Sequence, residues 1–189
     1  MKKNDRWAFI LLVITIIVLA YELINAANAD SKCGGVERWP VKTLQDGFKP
    51  GTPQSTTIEG LIGLTPPAHW SRSLPRQTSE RLTVTLKCKI VAVGVEADSD
   101  FHLVLSDGKH TMIGEIPKPE CADPDYSKQF AACRACVVKA IGYYPKSIRM
   151  LKSPVTCTLT GVVFFDMPHH NGKGHAGNEV EIHPIIKIQ

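Results

Sequence analysis

Imidazoles and carboxylates gather in a glycine-rich stretch near the end of the chain. This stretch, residues 169–181, lies between two runs whose apolar residues alternate as in β-strands. A donor set of two imidazoles and a carboxylate suits Zn²⁺ or a similar divalent ion, and an open coordination position would activate water for hydrolysis. The candidate metal ligands are His169, His170, His175, His183, Asp166 and Glu181.

The same stretch is also typical of a solvated hairpin tip. Gly172, Gly174 and Gly177 give its backbone freedom, and no HExxH motif or comparable ligand spacing stands beside it. A loop this rich in glycine is poorly preorganised for a catalytic metal. We therefore expect no cofactor, and keep a divalent metal such as zinc as the alternative.

The first residues have the pattern of an export signal. Lys2, Lys3 and Arg6 precede an apolar run over residues 7–21, and Ala27-Asn28-Ala29 is a small-residue cleavage site. An acidic residue interrupts the apolar run after about 15 residues, short of the ~20 that a membrane-spanning helix needs. We expect cleavage after residue 29 and a periplasmic or extracellular protein. The alternative is an uncleaved N-terminal membrane anchor.

Length and charge limit the function classes. A chain from residue 30 onward is long enough for one domain with a core, and too short for two comfortable ones. The formal net charge of the whole sequence is +4, which is too mild to indicate nucleic-acid binding. Proline-rich and glycine-rich punctuation predicts an irregular leader over residues 30–80, packed on one domain over residues 81–189.

Three strands open the predicted domain. Over residues 82–95 apolar and polar side chains alternate strictly, as a half-buried strand requires. Residues 101–105 and 111–116 form the next two strands, because Asp107-Gly108 supplies the positive φ of a tight hairpin between them. We expect these three strands to form a meander.

A helix and two further strands complete the domain. Asp123 and Pro124 suit the cap and first turn of the helix, and Gly142 ends it. Strands follow over residues 155–165 and 179–188. Three strands, a helix and two strands are the order of an OB-fold, a five-stranded Greek-key barrel whose helix lies between strands three and four. The sequence thus predicts a mainly β, single OB-like barrel; another small β-barrel or sandwich is the alternative.

All six cysteines follow the predicted cleavage site, and an even number in an exported chain favours disulfides over free thiols. They are Cys33, Cys88, Cys121, Cys133, Cys136 and Cys157. Cys88 and Cys157 lie on inward faces of the first and fourth strands, which are neighbours in an OB barrel. A cross-strand disulfide and two buried free thiols are both compatible with that placement.

Cys133 and Cys136 form a CxxC motif, which can act in redox chemistry or bind zinc. A thioredoxin-type motif belongs at the start of a helix, whereas this motif lies in the third turn of the predicted helix. We therefore expect structural disulfides, with one of these two thiols bonded to Cys121 and the other to Cys33. A zinc site that includes Cys121 and a redox site are the alternatives.

The second and third strands carry the other candidate binding residues. In an OB-fold the ligand surface is centred on these strands, so His102, Lys109 and His110 are candidates to line it. Otherwise we expect the two histidines to be exposed polar positions. Glu181 and His183 are expected on the outer face of the fifth strand.

Four segments resemble those of small, exported, uncharacterised bacterial proteins with an OB-like barrel. The segments are residues 38–43, 102–105, 161–166 and 181–184. The resemblance covers nearly all of the chain after the predicted signal peptide. It implies the fold and export, and it supplies no activity or catalytic residues. His169-His170 and the pair Cys133 and Cys136 depart from the family pattern.

Together these features favour a non-catalytic, exported binding or accessory domain. An envelope protein or polymer fits as its ligand, and no membrane contact is expected after signal cleavage. Nucleic acid is not favoured, because Phe101 and Phe165 fall on inward faces and are not free to stack on bases. The alternative is a metal-dependent hydrolase, of nuclease or phosphoesterase type, that uses the C-terminal histidine loop.

Overall fold

The computed structural model describes residues 33–34, 37–168 and 172–189. The predicted export signal, its alternative as a membrane anchor, and the candidate ligands His169 and His170 lie outside these residues. Within the described ranges, no helix has both the length and the apolar character that crossing a membrane requires.

The protein is mainly β, as predicted, and its strands form one six-stranded mixed sheet. The strands are β1 (Gln54–Ser55), β2 (Thr83–Val95), β3 (Phe101–Ser106), β4 (Thr111–Ile116), β5 (Arg149–Phe165) and β6 (Val180–Ile188). Their order in the sheet is β1-β2-β3-β4-β6-β5, and β2 also pairs with β5. β2, β3 and β4 form the predicted antiparallel meander, whereas β1 runs parallel to β2 and β6 parallel to β4.

Buried and exposed side chains alternate along the middle of β2, whereas residues 92–94 near its end are all buried. Leu86 and Ile90 are each 1% exposed, while Lys87 and Lys89 face solvent. β2 pairs antiparallel with β3 along one edge and with β5 along the other, so both rows of its backbone hydrogen-bonding groups find partners. β2, the first strand of the predicted domain, therefore lies in the interior of the sheet.

Local turn chemistry closes the hairpin between β3 and β4. The Asp107 carboxylate accepts hydrogen bonds from the backbone N–H groups of Lys109 and His110, at 2.8 and 2.7 Å. Gly108 has a φ of 98°, which glycine adopts without steric cost, as the sequence predicted. The turn pairs Ser106 with Thr111, and this register continues along both strands.

The predicted helix is α3 (Pro124–Ile141), the third helix of the described chain after two short ones in the leader. The Asp123 carboxylate accepts the backbone N–H of Asp125 at 2.9 Å, and Gly142 ends the helix in the left-handed conformation. One side of α3 packs on β6. Its buried side chains are Phe130, Cys133, Arg134 and Val137.

Two strands differ from the prediction. β5 begins at Arg149 rather than at residue 155, and the added residues pair with β2 through Met150 opposite Ala92. The prediction was wrong there because these residues are mostly exposed and include Pro154, so they lack the alternation of a half-buried strand. The prediction of five strands also lacked β1, a two-residue strand in the leader that pairs with the start of β2.

The leader contains the short helices α1 (Trp39–Lys42) and α2 (Ile58–Ile62). α2 is capped by the Thr57 hydroxyl, which accepts the backbone N–H of Gly60 at 3.0 Å. Several leader side chains are buried with those of the sheet in one hydrophobic core. They are Leu44, Ile58 and Leu61. Residues 33–189 accordingly form a unit with a core of its own.

A buried ion pair joins the leader to the sheet. The side chains of Arg38 and Glu80 are both 0% exposed, and two hydrogen bonds of 2.5 and 2.7 Å connect the guanidinium to the carboxylate. The remaining guanidinium N–H groups donate to the carbonyl oxygens of Leu74, Pro75 and Phe165. Each charge is balanced and hydrogen-bonded, whereas removal of one partner would leave the other charge buried and uncompensated.

We expect Glu80→Ala to lower the free energy of unfolding by about 3–5 kcal/mol, because the Arg38 charge would remain buried without its counter-charge. Arg72→Ala is the control. The Arg72 side chain is 66% exposed and lies 3.7 Å from Glu37, so its loss should cost less than about 1 kcal/mol. Urea denaturation measures both values, and equal losses would contradict the assignment.

Candidate functional site

Ionisable side chains are buried on one face of β3, β4 and β6. His102 of β3 and Glu115 of β4 are 5% and 3% exposed, and Glu181 and His183 of β6 are 2% and 0% exposed. Strand pairing brings them together, because His102 lies opposite Glu115 and Ile113 lies opposite Glu181. Side chains two residues apart on a strand share a face, so His183 joins the same group.

Glu115 lies between two imidazoles. Its Oε1 is 2.8 Å from His102 Nδ1, and its Oε2 is 2.9 Å from His183 Nδ1. Each imidazole has a second carboxylate: Glu96 Oε1 is 2.9 Å from His102 Nδ1, and Asp100 Oδ2 is 3.4 Å from His183 Nε2. The histidine–carboxylate cluster comprises Lys42, Glu96, Asp98, Asp100, His102, Glu115, Asp166, His175, Glu179, Glu181 and His183.

Neighbouring groups fix the position of two cluster members. The backbone N–H of Lys118 donates to Asp100 Oδ1 at 3.0 Å, which leaves the Oδ2 atom to face His183. Phe164 packs edge-on against the His183 ring, with 5.5 Å between the ring centroids. The ammonium group of Lys42, from α1, lies 5.4 Å from the centroid of the Phe164 ring. The leader therefore helps to enclose the cluster.

The carboxylates raise the pKa values of both central histidines. Burial alone would lower the pKa of His102, but the hydrogen bonds and charges of Glu115 and Glu96 outweigh it and raise that pKa to about 10. Burial would likewise lower the pKa of His183, but the nearby carboxylates of Glu115 and Asp100 raise it well above its ordinary value. In the absence of a metal ion, these carboxylates therefore favour the doubly protonated form of both imidazoles.

The pKa values of two buried carboxyl groups of the cluster are shifted in opposite directions. Burial would raise the pKa of Glu115, but the charge of His183 and the hydrogen bond from His102 hold it well below its usual range. Burial, together with the charge of Asp166, raises the pKa of Glu181 to about 7. The cluster thus contains one carboxylate that is firmly ionised and one that is close to its titration point near neutral pH.

The centre of the cluster holds buried polar atoms without well-formed hydrogen bonds. Among the described residues, Asp100 Oδ2, Glu115 Oε2 and both ring nitrogens of His183 are buried and have no hydrogen-bond partner of acceptable geometry. Their nitrogen–oxygen distances are nevertheless 2.9 and 3.4 Å. Buried polar groups without a hydrogen-bond partner are rare in proteins, and coordination of an ion is one way in which such groups are satisfied.

Two overlapping sets of side chains have the spacing of metal ligands. Glu96, His102 and Glu115 form one set, and Asp100, Glu115 and His183 form the other; in each set the ligand atoms lie within 4.8 Å of one another. Glu115 belongs to both sets. Imidazole nitrogens and carboxylate oxygens are suitable ligands for Zn²⁺ and other first-row divalent ions.

The structure brings several of the predicted metal ligands together. His175 Nδ1 is 3.9 Å from Glu181 Oε1, and Glu181 Oε2 is 3.8 Å from His183 Nδ1. Asp166 Oδ1 lies 3.7 Å from Lys42 Nζ, which is also part of the cluster. Four of the six predicted ligands therefore belong to the cluster of eleven residues.

Three positions that we expected at the surface are buried instead. His102 was expected to be an exposed strand residue, and Glu181 and His183 were expected on an outer face of β6. These expectations were wrong because the face is shared by three paired strands and enclosed by Lys42 and Phe164. Alternation identifies the two faces of a strand, but it does not say which of them is covered.

Lys109 and His110 make their contacts outside the cluster. Lys109 Nζ lies 3.6 Å from Glu59 Oε1 in an exposed pair, and His110 Nδ1 lies 3.2 Å from Asp107 Oδ2 within the hairpin turn. Their role as lining residues of a ligand surface stays a prediction.

Among the cluster members that sequence reasoning missed are Lys42, Glu96, Asp100 and Glu115. Glu115 could have been found, since the predicted hairpin turn at Asp107-Gly108 fixes the register that places it opposite His102. The other three come from the leader and from the turn after β2, and no local pattern links those segments to β4 and β6.

One disulfide is formed, and its pairing differs from our expectation. Cys121 is bonded to Cys33, whereas Cys133 and Cys136 are free thiols. The leader runs beside this part of the chain, because the side-chain amide of Gln45 donates to the carbonyl oxygen of Cys121 at 3.2 Å. The start of the leader thus lies beside Cys121, and Cys33 rather than a helix thiol is its bonding partner.

The other cysteines are thiols within the core or beside it. Cys88 and Cys157 lie directly opposite each other on β2 and β5, as predicted, with their Sγ atoms 3.7 Å apart. Burial raises the pKa of Cys133 to about 12, which opposes formation of the reactive thiolate. The Cys133 thiol thus lacks the electrostatic environment of a reactive cysteine.

Comparison with known proteins identifies no family for this chain. No protein-family model matches it, and no curated protein sequence matches it either. Function must therefore be inferred from side-chain geometry.

The stability of the protein should fall between pH 7 and 10 through His102. Its pKa is about 10 in the folded protein and ~6.5 in an unfolded chain, so the folded state binds the extra proton over this range. The stabilisation is complete below pH ~6.5 and is lost as the pH rises through about 10.

Urea titrations with a chelator present measure the free energy of unfolding at each pH. We expect this free energy to fall less steeply with pH in His102→Gln than in the wild type, by about 1.4 kcal/mol per pH unit. His110→Gln, a matched change in the hairpin turn, should keep the wild-type slope. An unchanged slope in His102→Gln would disprove the assignment.

Proposed function

We propose that the protein is an exported, non-catalytic binding or accessory domain with an OB-like barrel, and that its histidine–carboxylate cluster binds a divalent metal ion. The observation that carries the proposal is the position of Glu115, whose two oxygens lie 2.8 and 2.9 Å from the nearest nitrogens of His102 and His183. Imidazole nitrogens and carboxylate oxygens are common Zn²⁺ ligands, and Glu115 with the two histidines would supply three of them.

The pairings of the sheet support the OB-like part of the proposal. β2 pairs with both β3 and β5, and β6 lies between β4 and β5. With α3 between β4 and β5 in the chain, this is the strand connectivity that an OB-fold requires. The likeness of four segments to small exported proteins with such a barrel points the same way.

Export is supported by two independent features. The first residues have the charged, apolar and small-residue pattern of a signal peptide. The disulfide between Cys33 and Cys121 is of a kind that persists in oxidising compartments and is rare in the cytosol.

Electrostatics support a bound cation. Carboxylates outnumber basic groups in the cluster, and Asp100 and Glu115 are 0% and 5% exposed at their side chains. Removal of such charges from water is costly unless they are paired or coordinate a metal. A divalent ion would take up the excess negative charge and would use the polar atoms of His183 and its neighbours that have no well-formed hydrogen bond.

A metal-dependent hydrolase is the second candidate, and one observation favours it. The Glu96 side chain is 38% exposed and that of His175 is 15% exposed, so one side of the cluster approaches solvent. An ion bound on that side could keep a water molecule among its ligands, which is the requirement for metal-assisted hydrolysis.

We expect the purified protein to bind Zn²⁺ stoichiometrically and to become more stable against heat as free Zn²⁺ exceeds the dissociation constant. Glu115→Gln should weaken Zn²⁺ binding by at least about 100-fold, because it removes a charged ligand. Loss of a residue that only hydrogen-bonds to a metal ligand already costs about 10- to 100-fold. Elemental analysis, calorimetric titration and thermal melting measure these effects.

Glu120→Gln is the matched control, because Glu120 is exposed outside the sheet. It should bind Zn²⁺ as the wild type does. A folded wild-type protein that is metal-free, and whose melting temperature responds to neither Zn²⁺ nor chelator, would overturn the proposal. Hydrolysis of a phosphodiester in proportion to bound metal, lost in Glu96→Gln, would replace the non-catalytic role with the hydrolase.

A further inference from the structure

The large hydrophobic side chains that are exposed in the described structure lie close together in the chain. Tyr143, Tyr144, Ile148 and Met150 are 45%, 54%, 49% and 73% exposed. They occupy the connection from α3 to β5 and the first residues of β5. Isolated apolar side chains are normal on a protein surface, but a contiguous group marks a contact surface.

Basic residues accompany these side chains, and acidic ones do not. No Asp or Glu occurs between Tyr126 and Phe165. The exposed basic residues of this segment nearest to the apolar group are Lys139, Lys146, Arg149 and Lys152. These four residues, with Tyr143, Tyr144, Ile148 and Met150, form the basic–apolar patch.

The surface of the patch contains depressions that are lined by both basic and apolar side chains. A surface groove of ≈ 540 Å³ is lined by Tyr143, Arg149, Met150 and Lys152 among others. A smaller depression of ≈ 120 Å³ adjoins it, where Tyr143 and Arg149 meet Lys146. Charged and apolar side chains therefore alternate over one continuous surface.

The backbone beneath the patch is held in place. The N–H of Val95, at the end of β2, donates to the carbonyl oxygen of Lys146 at 2.7 Å. Ile148 packs so closely on Gly94 that a Cβ there would lie 2.5 Å from the Ile148 Cα. The Tyr144 ring stacks edge-on against Phe101 at 5.3 Å. The exposed side chains thus project from a fixed surface, which lowers the entropic cost of docking.

We propose that the basic–apolar patch docks the protein on an anionic lipid surface. Tyrosine rings favour the boundary between headgroups and acyl chains, and basic side chains are attracted to anionic headgroups. Ile148 and Met150 add apolar side chains that suit the acyl-chain side of this boundary. This proposal departs from our expectation of no membrane contact after signal cleavage.

Co-sedimentation with vesicles tests the proposal, with residues 30–189 so that the apolar N-terminal run does not contribute. Vesicles of equal parts phosphatidylglycerol and phosphatidylcholine should retain the protein, and pure phosphatidylcholine vesicles should retain much less. Lys146→Ser/Arg149→Ser should weaken retention by about fivefold for each charge removed. Met150→Ser should weaken it as well, and its effect should persist at high salt.

Lys49→Ser/Lys187→Ser removes the same charge at a distance from the patch. Lys49 is close to Gly51, which donates to Thr83 at the start of β2, whereas Arg149 lies opposite Val93 near its end. We expect this control to bind vesicles almost as well as the wild type, and thermal melts to show that all variants are folded.

Three results would overturn the proposal. They are no retention of the folded wild-type protein by anionic vesicles, equal loss in the patch and control pairs, and capture by polyglutamate without capture by vesicles. The last result would assign the patch to an acidic polypeptide. If the charge pair fails to fold, Met150→Ser decides the question alone, because its side chain is the most exposed of the four.

Discussion

The buried ion pair between Arg38 and Glu80 is the constraint on which the arrangement of the protein depends. Both residues also bind the backbone of Phe165: Arg38 donates to its carbonyl oxygen, and Glu80 accepts its N–H. The end of β5 is thus held from both directions. Lys42 lies one helical turn after Arg38, and Asp166 directly follows Phe165, so the contact that fixes the leader also sets Lys42 within 3.7 Å of Asp166.

Charge balance in the histidine–carboxylate cluster can be reached in two ways. Protons on His102 and His183 balance Glu115 in the metal-free protein, which is why the pKa values of both histidines are raised. A divalent ion would require both imidazoles to be neutral and would release those protons. Protons and a metal ion would therefore compete for the same imidazole nitrogens. The affinity for the ion would then increase with pH over the range in which the histidines titrate.

Local elements of the fold were predictable because their signals are contained in neighbouring residues. The alternation of β2, the Asp107-Gly108 turn and the Asp123 cap each depend on a few adjacent positions. β5 was predicted short because its first residues are held by pairing with β2 rather than by burial. The Cys33–Cys121 bond was not predicted because it depends on the course of the leader.

The candidate site was predictable only in part, for the same reason. Glu181 and His183 were recognised as chemically suitable, and hairpin register would have added Glu115 opposite His102. Burial of these side chains could not be derived, since it depends on the parallel pairing of β4 with β6 and on a leader residue, Lys42. Sequence patterns identify which side chains share a strand face, and only the packed structure shows that the face is enclosed.

The turn between β2 and β3 has a consequence for how the two proposed sites communicate. It supplies Glu96 and Asp100 to the cluster, and from the other side Arg134 donates to the Ser99 carbonyl oxygen and to the Tyr144 hydroxyl, at 2.9 and 3.0 Å. Because this turn contacts both proposed sites, a ligand that shifted it at one site would change the affinity of the other site for its own ligand. Thermodynamic reciprocity then requires that a bound cation changes the affinity for a surface by the factor with which that surface changes the affinity for the cation.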